Sequence, residues 1–180
     1  MVQINLVSRI AGDKNSFFDL VFIAYKLKLD GYNGFRILFI GEIESPSIYQ
    51  NIIRMAGLLD VGEHIDFTKK SIPLARLPEN IKDGYFLNYS VGKFIGYSGI
   101  ESIANGLKAI FVNGDKSLED DVSDYINVCR NIPDLIEFIK ILINDKVNAD
   151  KQIISNNLEM SSDFKLTEPD TAFLLSMMKA

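Results

Sequence analysis

Apolar positions along the chain follow two alternating spacings, which predicts strands that alternate with helices. Short runs rich in β-branched and aromatic residues are typical of buried strands. Such runs cover residues 2–7, 35–40, 64–67, 84–89 and 109–112. Between them, apolar residues recur every three or four positions, as on one face of a helix. Helical patterns of this kind cover 16–30, 46–59, 100–105, 131–143 and 146–163, with a single turn at 72–77 and a last helix at about 168–178.

Local end signals support several of these helices. Ser16 lies three residues before Asp19, as in a capping box, and Gly31 follows the end of the same pattern. The helix between them carries apolar residues at helical spacing, namely Phe18, Phe22, Tyr25 and Leu29 alongside Phe17, Val21 and Ala24. Ser45 and Pro46 are the residue types expected at the cap and first position of the next helix.

The alternation of strands and helices predicts a single α/β domain over residues 1–180. We expect a Rossmann-like, three-layer arrangement with a mainly parallel sheet, because strands separated by helices pair in parallel. The length of 180 residues, nearly half of them apolar, is enough to bury a substantial core.

Composition narrows the possible functions. A formal net charge of -5 argues against a nucleic-acid binder that depends on neutralising phosphates. Cys129 is the single cysteine, so an intrachain disulfide is impossible and a reducing compartment is favoured. We find neither a signal-peptide pattern nor an apolar run long enough to span a membrane, and therefore expect a cytoplasmic protein. His64 is the single histidine, for which we expect a solvated or structural role.

The stretch from Ser90 to Gly106 carries the first candidate site. It follows a predicted strand, contains glycines at 92, 96 and 99, and leads into a short helical pattern. Free backbone N–H groups at a helix start can bind a phosphate, and glycines allow a close approach of the ligand. The candidate donors are the backbone groups of Tyr97, Ser98 and Gly99. The alternative is an ordinary strand-to-helix connection, which also needs a glycine or two.

The same stretch resembles the signature of retaining GT-B glycosyltransferases of the family-four type. That pattern is roughly Ser-x-x-Glu-Gly-Phe-Gly-x-x-x-x-Glu-Ala-Met-Ala-x-Gly-x-Pro-Val-Ile. The matching positions here are Ser90, Gly96, Glu101, Ala104, Gly106 and Ile110. The sequence departs from the pattern where Lys93 replaces the first glutamate, Phe94 replaces a glycine and Lys108 replaces the proline.

A second part of the resemblance lies in the loop after the first strand. The family has Gly-Arg-Leu-x-x-x-Lys-Gly there, which carries Arg9 and Lys14 over as the pair that holds the donor diphosphate, together with Gly96 and the backbone groups that follow it. A leaving diphosphate gains negative charge as the glycosidic bond breaks, so fixed cations stabilise the transition state. The alternative is that both residues are ordinary solvated cations.

The resemblance also assigns roles to two residues near the loop helix. Glu101 is expected in the first helical turn, where its carboxylate would accept the ribose hydroxyls; the alternative is a glutamate stabilised by the helix dipole. Lys93 stands in the donor-sugar region. It could reach a phosphate or a sugar carboxylate, or it could mark a chain that has lost activity.

Taken together, the resemblance implies the donor-binding half of a GT-B glycosyltransferase. It implies a nucleotide-diphosphate sugar as donor, and a glycan or lipid-linked acceptor in cell-surface polysaccharide synthesis. We expect neither a cofactor nor a metal, since cationic side chains and helix dipoles take the metal's role. The acceptor domain would precede this chain, the helix at 168–178 could pack toward it, and the isolated chain would not be active. Peripheral membrane association at the inner face stays open. The alternatives are a non-catalytic α/β interaction module and a GT-B-like sugar-nucleotide epimerase.

Overall fold

Parallel strands form the centre of the molecule. The structure, a computed structural model, describes residues 1–13, 16–90, 96–113 and 127–163. Within these ranges one sheet has six strands in the order β3-β2-β1-β4-β5-β6, and every neighbouring pair is parallel. The strands are β1 Val2–Val7, β2 Phe35–Ile40, β3 Ile65–Phe67, β4 Tyr85–Ser90, β5 Lys108–Asn113 and β6 Val128–Cys129. The prediction of an α/β, Rossmann-like fold is confirmed.

Helices connect the strands and cover both faces of the sheet. They are α1 Ser16–Leu29, α2 Pro46–Leu58, α3 Glu79–Lys82, α4 Gly96–Ala104, α5 Ile132–Asn144 and α6 Lys146–Asp163, with 3-10 turns at Gly62–His64 and Leu74–Arg76. Alternate residues of β5 show the two layers: Ile110 belongs to the apolar cluster that contains the buried side of α1, whereas Phe111 packs in the cluster of Ile103 from α4. Helices α1 and α4 therefore lie on opposite faces.

Most element boundaries agree with the sequence, and the exceptions have local causes. The short helix α3 and strand β6 were not predicted, because four and two residues are too few to show a periodicity. Ser16 is itself the first residue of α1. Ser45 occupies the cap position of α2, yet its side chain makes no capping hydrogen bond. The helix predicted at about 168–178 lies outside the described residues, and the single-domain boundary of 1–180 stays a prediction.

Of the two sets of apolar residues at helical spacing along α1, only the set with Phe17, Val21 and Ala24 is buried throughout. Phe22 and Leu29 are exposed, while the buried residues are Ser16, Phe17, Leu20, Val21, Ile23, Ala24 and Leu27. Because apolar residues occupy most positions of this helix, on more than one face, the sequence pattern could not select the face that meets the sheet.

Lys108, the residue that replaces the family proline, has a structural role. It opens β5, its side chain is 10% exposed, and its Nζ lies 3.1 Å from Asp83 Oδ1 and 3.3 Å from Asp150 Oδ2. The Tyr85 hydroxyl donates to the other oxygen of Asp150 at 2.6 Å, and Lys146 Nζ lies 3.2 Å from Asp150 Oδ2. This network joins the amino ends of β4 and β5 to α6, so the substitution serves the fold at the edge opposite the candidate site.

Two further buried polar groups are structural. Asn127 is fully buried and donates to the Ala109 carbonyl at 2.9 Å and to Asn157 Oδ1 at 2.9 Å, which ties α6 to β5. His64 is buried, stacks on Phe35 at a ring distance of 4.3 Å, and its Nδ1 lies 3.0 Å from the Phe35 carbonyl oxygen. Of the two roles expected for His64, the structural one is therefore confirmed.

Candidate functional site

The strand order places a crevice at the carboxyl ends of β1 and β4. The chain runs from β1 outward to β2 and β3, then returns to pair β4 beside β1 before it continues to β5 and β6. Strands β1 and β4 pair in parallel, with Ile4 beside Tyr85, so both leave the sheet at the same edge. Ligands of open α/β sheets bind at such a reversal of strand order. The loop that carries Arg9 and the segment that leads to α4 both start there.

The backbone of the Arg9 loop is tied to the loop after β2. Ser8 N–H donates to the Ile40 carbonyl at 2.9 Å, and Ile10 N–H donates to the Glu42 carbonyl at 2.9 Å. Gly41 is required for this approach, because a Cβ atom there would lie 2.6 Å from the Ser8 carbonyl carbon. The position of Arg9 is thus set by two neighbouring loops rather than by one.

The Arg9 side chain is half exposed and meets two carboxylates. Its Nη1 donates to Glu44 Oε2 at 2.6 Å and its Nη2 donates to Asp13 Oδ2 at 3.1 Å. The hydrogen bond and charge of Glu44, with a smaller contribution from Asp13, raise the pKa of Arg9 above its ordinary value. Arg9 is therefore a permanent cation at the edge of the crevice. Lys14 and Lys93, the other two cations predicted here, lie outside the described residues.

The amino end of α4 forms the other side of the candidate site. The helix begins at Gly96, four residues earlier than the sequence pattern predicts, so Tyr97, Ser98 and Gly99 are helical residues rather than loop residues. This correction leaves their role as donors possible, since the first four N–H groups of a helix have no partner within it. At 9 residues the helix is long enough for its dipole to favour an anion at this end.

A partly buried polar contact fixes this helix end to the sheet. The Ser98 hydroxyl donates to Asn88 Oδ1 at 2.9 Å, and the Ser102 hydroxyl donates to the Ser98 carbonyl at 2.8 Å. Asn88 lies in β4 and is 8% exposed. The first turn of α4 is thus held against the strand that precedes it, and Asn88 is a positioning residue that the sequence analysis missed. Its signal was a polar residue inside the apolar run of β4.

Glu101 is placed differently from the prediction. With α4 starting at Gly96, Glu101 is its sixth residue and lies in the second turn, so the helix-dipole alternative loses its basis. The side chain is exposed, and its carboxylate has no hydrogen bond or ion pair to any part of the chain that the structure describes. It lies one turn beyond Ser98.

The described residues contain neither a cluster of metal ligands nor a membrane-spanning helix. Within those ranges, His, Cys, Asp and Glu side chains form no group of three or more that could hold a metal ion. Among the described helices, none combines the length and the apolar composition needed to cross a membrane.

Solved structures with a similar fold include glycosyltransferases. The C-terminal domain of a group 1 glycosyl transferase (LpcC) from Francisella tularensis has 16% identity and a TM-score of 0.65, over 91% of this chain and 85% of that chain. A glycosyltransferase from Rickettsia africae has 16% identity and a TM-score of 0.64, over 99% of this chain and 47% of the other. Anabaena Alr3699/HepE, solved in complex with UDP, has 13% identity and a TM-score of 0.71, over 99% of this chain and 49% of that protein.

These likenesses define the class of fold. The chain has the fold of the C-terminal, donor-binding domain of GT-B glycosyltransferases, as the sequence resemblance predicted. It spans about half the length of the Rickettsia and Anabaena chains. No protein-family model and no curated protein sequence matches it.

Proposed function

We propose that this chain is the donor-binding half of a glycosyltransferase and binds the diphosphate of a nucleotide sugar at the carboxyl ends of β1 and β4. The observation that carries the proposal is the juxtaposition of a fixed cation and a helix amino end at the reversal of strand order. Arg9 follows β1, and Gly96 starts the helix after β4. A guanidinium and free backbone N–H groups are complementary to a diphosphate.

The chemistry of the site suits a leaving group that gains charge. As the bond between sugar and phosphate breaks, negative charge develops on the diphosphate. Arg9 and the N–H groups of Tyr97, Ser98 and Gly99 would stabilise it at preset positions, with Lys14 and Lys93 as further cations. Glu101, exposed in the second turn, would accept hydrogen bonds from the ribose. The acceptor in this proposal is a glycan or lipid-linked molecule of a cell-surface polysaccharide, bound by an acceptor domain outside this chain.

A titration with nucleoside diphosphates tests the proposal. We expect UDP, GDP or ADP to bind to the 180-residue chain in a calorimeter, with or without EDTA, because the proposed site uses no metal. Arg9→Ala should weaken binding about tenfold or more, since it removes a charged donor to phosphate, and should reduce the salt dependence. Arg54→Ala is the matched control, because Arg54 is exposed on α2 and makes no ion pair within the described ranges. No heat at millimolar concentrations of any of the three nucleotides would refute the proposal.

Pyrophosphate separates the ribose contact from the phosphate contacts. Glu101→Ala should lower the affinity for a nucleotide and leave the affinity for inorganic pyrophosphate almost unchanged. Equal losses for both ligands would show that Glu101 does not contact ribose.

Sugar transfer is a separate test. The isolated chain should not transfer sugar, because the proposed acceptor site lies outside it. Efficient transfer by the isolated chain would contradict the proposal that it is only the donor-binding half of the enzyme.

One observation favours a second candidate, the non-catalytic interaction module. Arg9 is already paired with Glu44 and Asp13, as a cation with a purely structural role would be. In that case Arg9→Ala would lower stability and no nucleotide would bind.

A further inference from the structure

Arg9 forms ion pairs with two carboxylates of the chain, and these ion pairs have no role in the proposed donor site. Two carboxylates from different loops meet one guanidinium: Glu44 Oε2 lies 2.6 Å from Nη1, and Asp13 Oδ2 lies 3.1 Å from Nη2. The two terminal nitrogens are the pair that would receive a phosphate in a forked, two-bond contact. Each of them therefore already has an anionic partner supplied by the chain itself.

The backbone keeps Glu44 next to Arg9. The N–H groups of Glu44 and Ser45 both donate to the Ile10 carbonyl, at 3.1 and 2.8 Å. Ile10 directly follows Arg9, and it also forms an isolated parallel bridge with Ile43. The two loops consequently hold the carboxylate and the guanidinium within reach of each other.

The charges of this cluster oppose a bound anion. One guanidinium and two carboxylates sum to a charge of about −1 near neutral pH, and a nucleoside diphosphate is itself multiply anionic. The side chains of Arg9, Glu44 and Asp13 are 49%, 49% and 55% exposed, so the pairs lie in contact with water. Ion pairs at this exposure are weak and exchange readily for another anion. A diphosphate can thus displace a carboxylate from Arg9, but it has to compete for that place.

We propose that Glu44 is an intrachain competitor of the donor diphosphate for Arg9 and sets the affinity of the site. This inference rests on the proposed function. Glu44 is the stronger of the two competitors, because its contact is the shorter and it contributes more than Asp13 to the raised pKa of Arg9. When the diphosphate binds, the Glu44 carboxylate leaves Nη1 and turns to solvent, while its backbone stays bonded to Ile10.

The test compares two glutamates of the same loop. Glu44→Gln keeps a hydrogen-bond acceptor for Arg9 and removes the charge, whereas Glu42→Gln removes the same charge from an exposed neighbour whose carboxylate makes no ion pair with Arg9. We expect Glu44→Gln to bind UDP about threefold to tenfold more tightly than Glu42→Gln at about 50 mM salt. The gain should shrink at about 0.5 M salt. It should disappear when Arg9→Ala is added, because the competition is for that side chain.

The outcomes distinguish a failure of the proposed Glu44 competition from a failure of the proposed donor site. If the unaltered chain binds UDP and Glu44→Gln binds no more tightly than Glu42→Gln, the competition is wrong and the donor site stands. If Glu44→Gln binds more weakly, Glu44 orients Arg9 instead of competing for it, which also overturns the inference. If neither the unaltered chain nor either variant binds UDP, GDP or ADP, the donor site and the competition both fail.

Discussion

The charge network at the amino ends of β4 and β5 gives a quantitative test of how this fold is held together. Tyr85 is fully buried, and its hydroxyl donates to Asp150 Oδ1 at 2.6 Å. Tyr85→Phe removes this hydroxyl and keeps the ring, including its contact with Lys108 Nζ at 4.8 Å from the ring centroid. A hydrogen bond to a charged group contributes about 1.5–3 kcal/mol. Asp150 is 22% exposed, so water can replace part of the lost bond, and we expect a loss of about 2 kcal/mol.

The pH dependence follows from the same contacts. Burial and the hydrogen bond to Asp150 raise the pKa of Tyr85, so its contribution to stability is complete below about pH 10 and is lost as the pH rises further. Burial opposes ionisation of Asp150, yet hydrogen bonds from Tyr85 and Lys146 outweigh it and lower the pKa of Asp150. Its contribution is therefore complete above about pH 4 and is lost at lower pH. The difference between the unaltered chain and Tyr85→Phe should be largest between these limits.

Urea unfolding at several pH values measures this difference in the free energy of unfolding. Tyr25→Phe is the control: this tyrosine on α1 is partly exposed, and its hydroxyl has no hydrogen bond to the described residues, so its loss should change stability by less than about 0.5 kcal/mol. A Tyr85→Phe variant as stable as Tyr25→Phe near neutral pH would refute the reasoning. So would a difference between Tyr85→Phe and the unaltered chain that did not narrow above about pH 10.

Three further predictions concern other parts of the fold. Gly41→Ala should lower the free energy of unfolding, measured with urea, by about 3 kcal/mol or more and should weaken UDP binding, because the new Cβ would overlap the Ser8 backbone. Gly57→Ala is the control: a Cβ at this position on α2 has free space, so the change should be neutral or stabilising. Burial, with a smaller contribution from Asp134, raises the pKa of Cys129 to about 12. A thiol reagent at neutral pH should therefore modify Cys129 only as fast as the chain unfolds, and rapid labelling of the folded chain would contradict the burial of this thiol. Asn157→Leu should cost about 1–3 kcal/mol, since it removes one hydrogen bond to the Leu107 carbonyl, just before β5, and one from the Asn127 amide; an unchanged urea midpoint would show that this link adds nothing.

The sequence alone predicted most of the elements and the layout of the fold. Strands β1 and β2 and helix α5 agree with their apolar patterns, because a period of two or of three to four residues is a local property. The structure adds the cap of α5, where the Asn131 side chain accepts the Asp134 N–H at 2.8 Å. The motif order placed Arg9 after β1 and the glycine-rich segment after β4, so the edge at which a ligand would bind followed from the order of elements.

The positions and contacts of the residues at the candidate site could be learned only from the tertiary structure. The start of α4 at Gly96 could not be predicted, because glycines disfavour a helix, and this helix end is held by the contact of Ser98 with Asn88 in β4. Glu101 consequently moved to the second turn. The pairing of Arg9 with Glu44 joins residues 35 positions apart, through two loops that only the parallel pairing of β1 and β2 brings together.

Lys108 is a further residue whose role the sequence did not show and the tertiary structure did. In the sequence it was a departure from a family pattern, with a charge that nothing nearby in the chain explained. Its partners, Asp83 and Asp150, lie 25 and 42 positions away, and they meet it only because β4, β5 and α6 pack together. Local periodicity decides which segments become strands and helices, since each residue's neighbours in the chain are fixed. The partner of a charged side chain depends on which distant segments pack beside it, and for Arg9 and Lys108 only the folded chain supplied that partner.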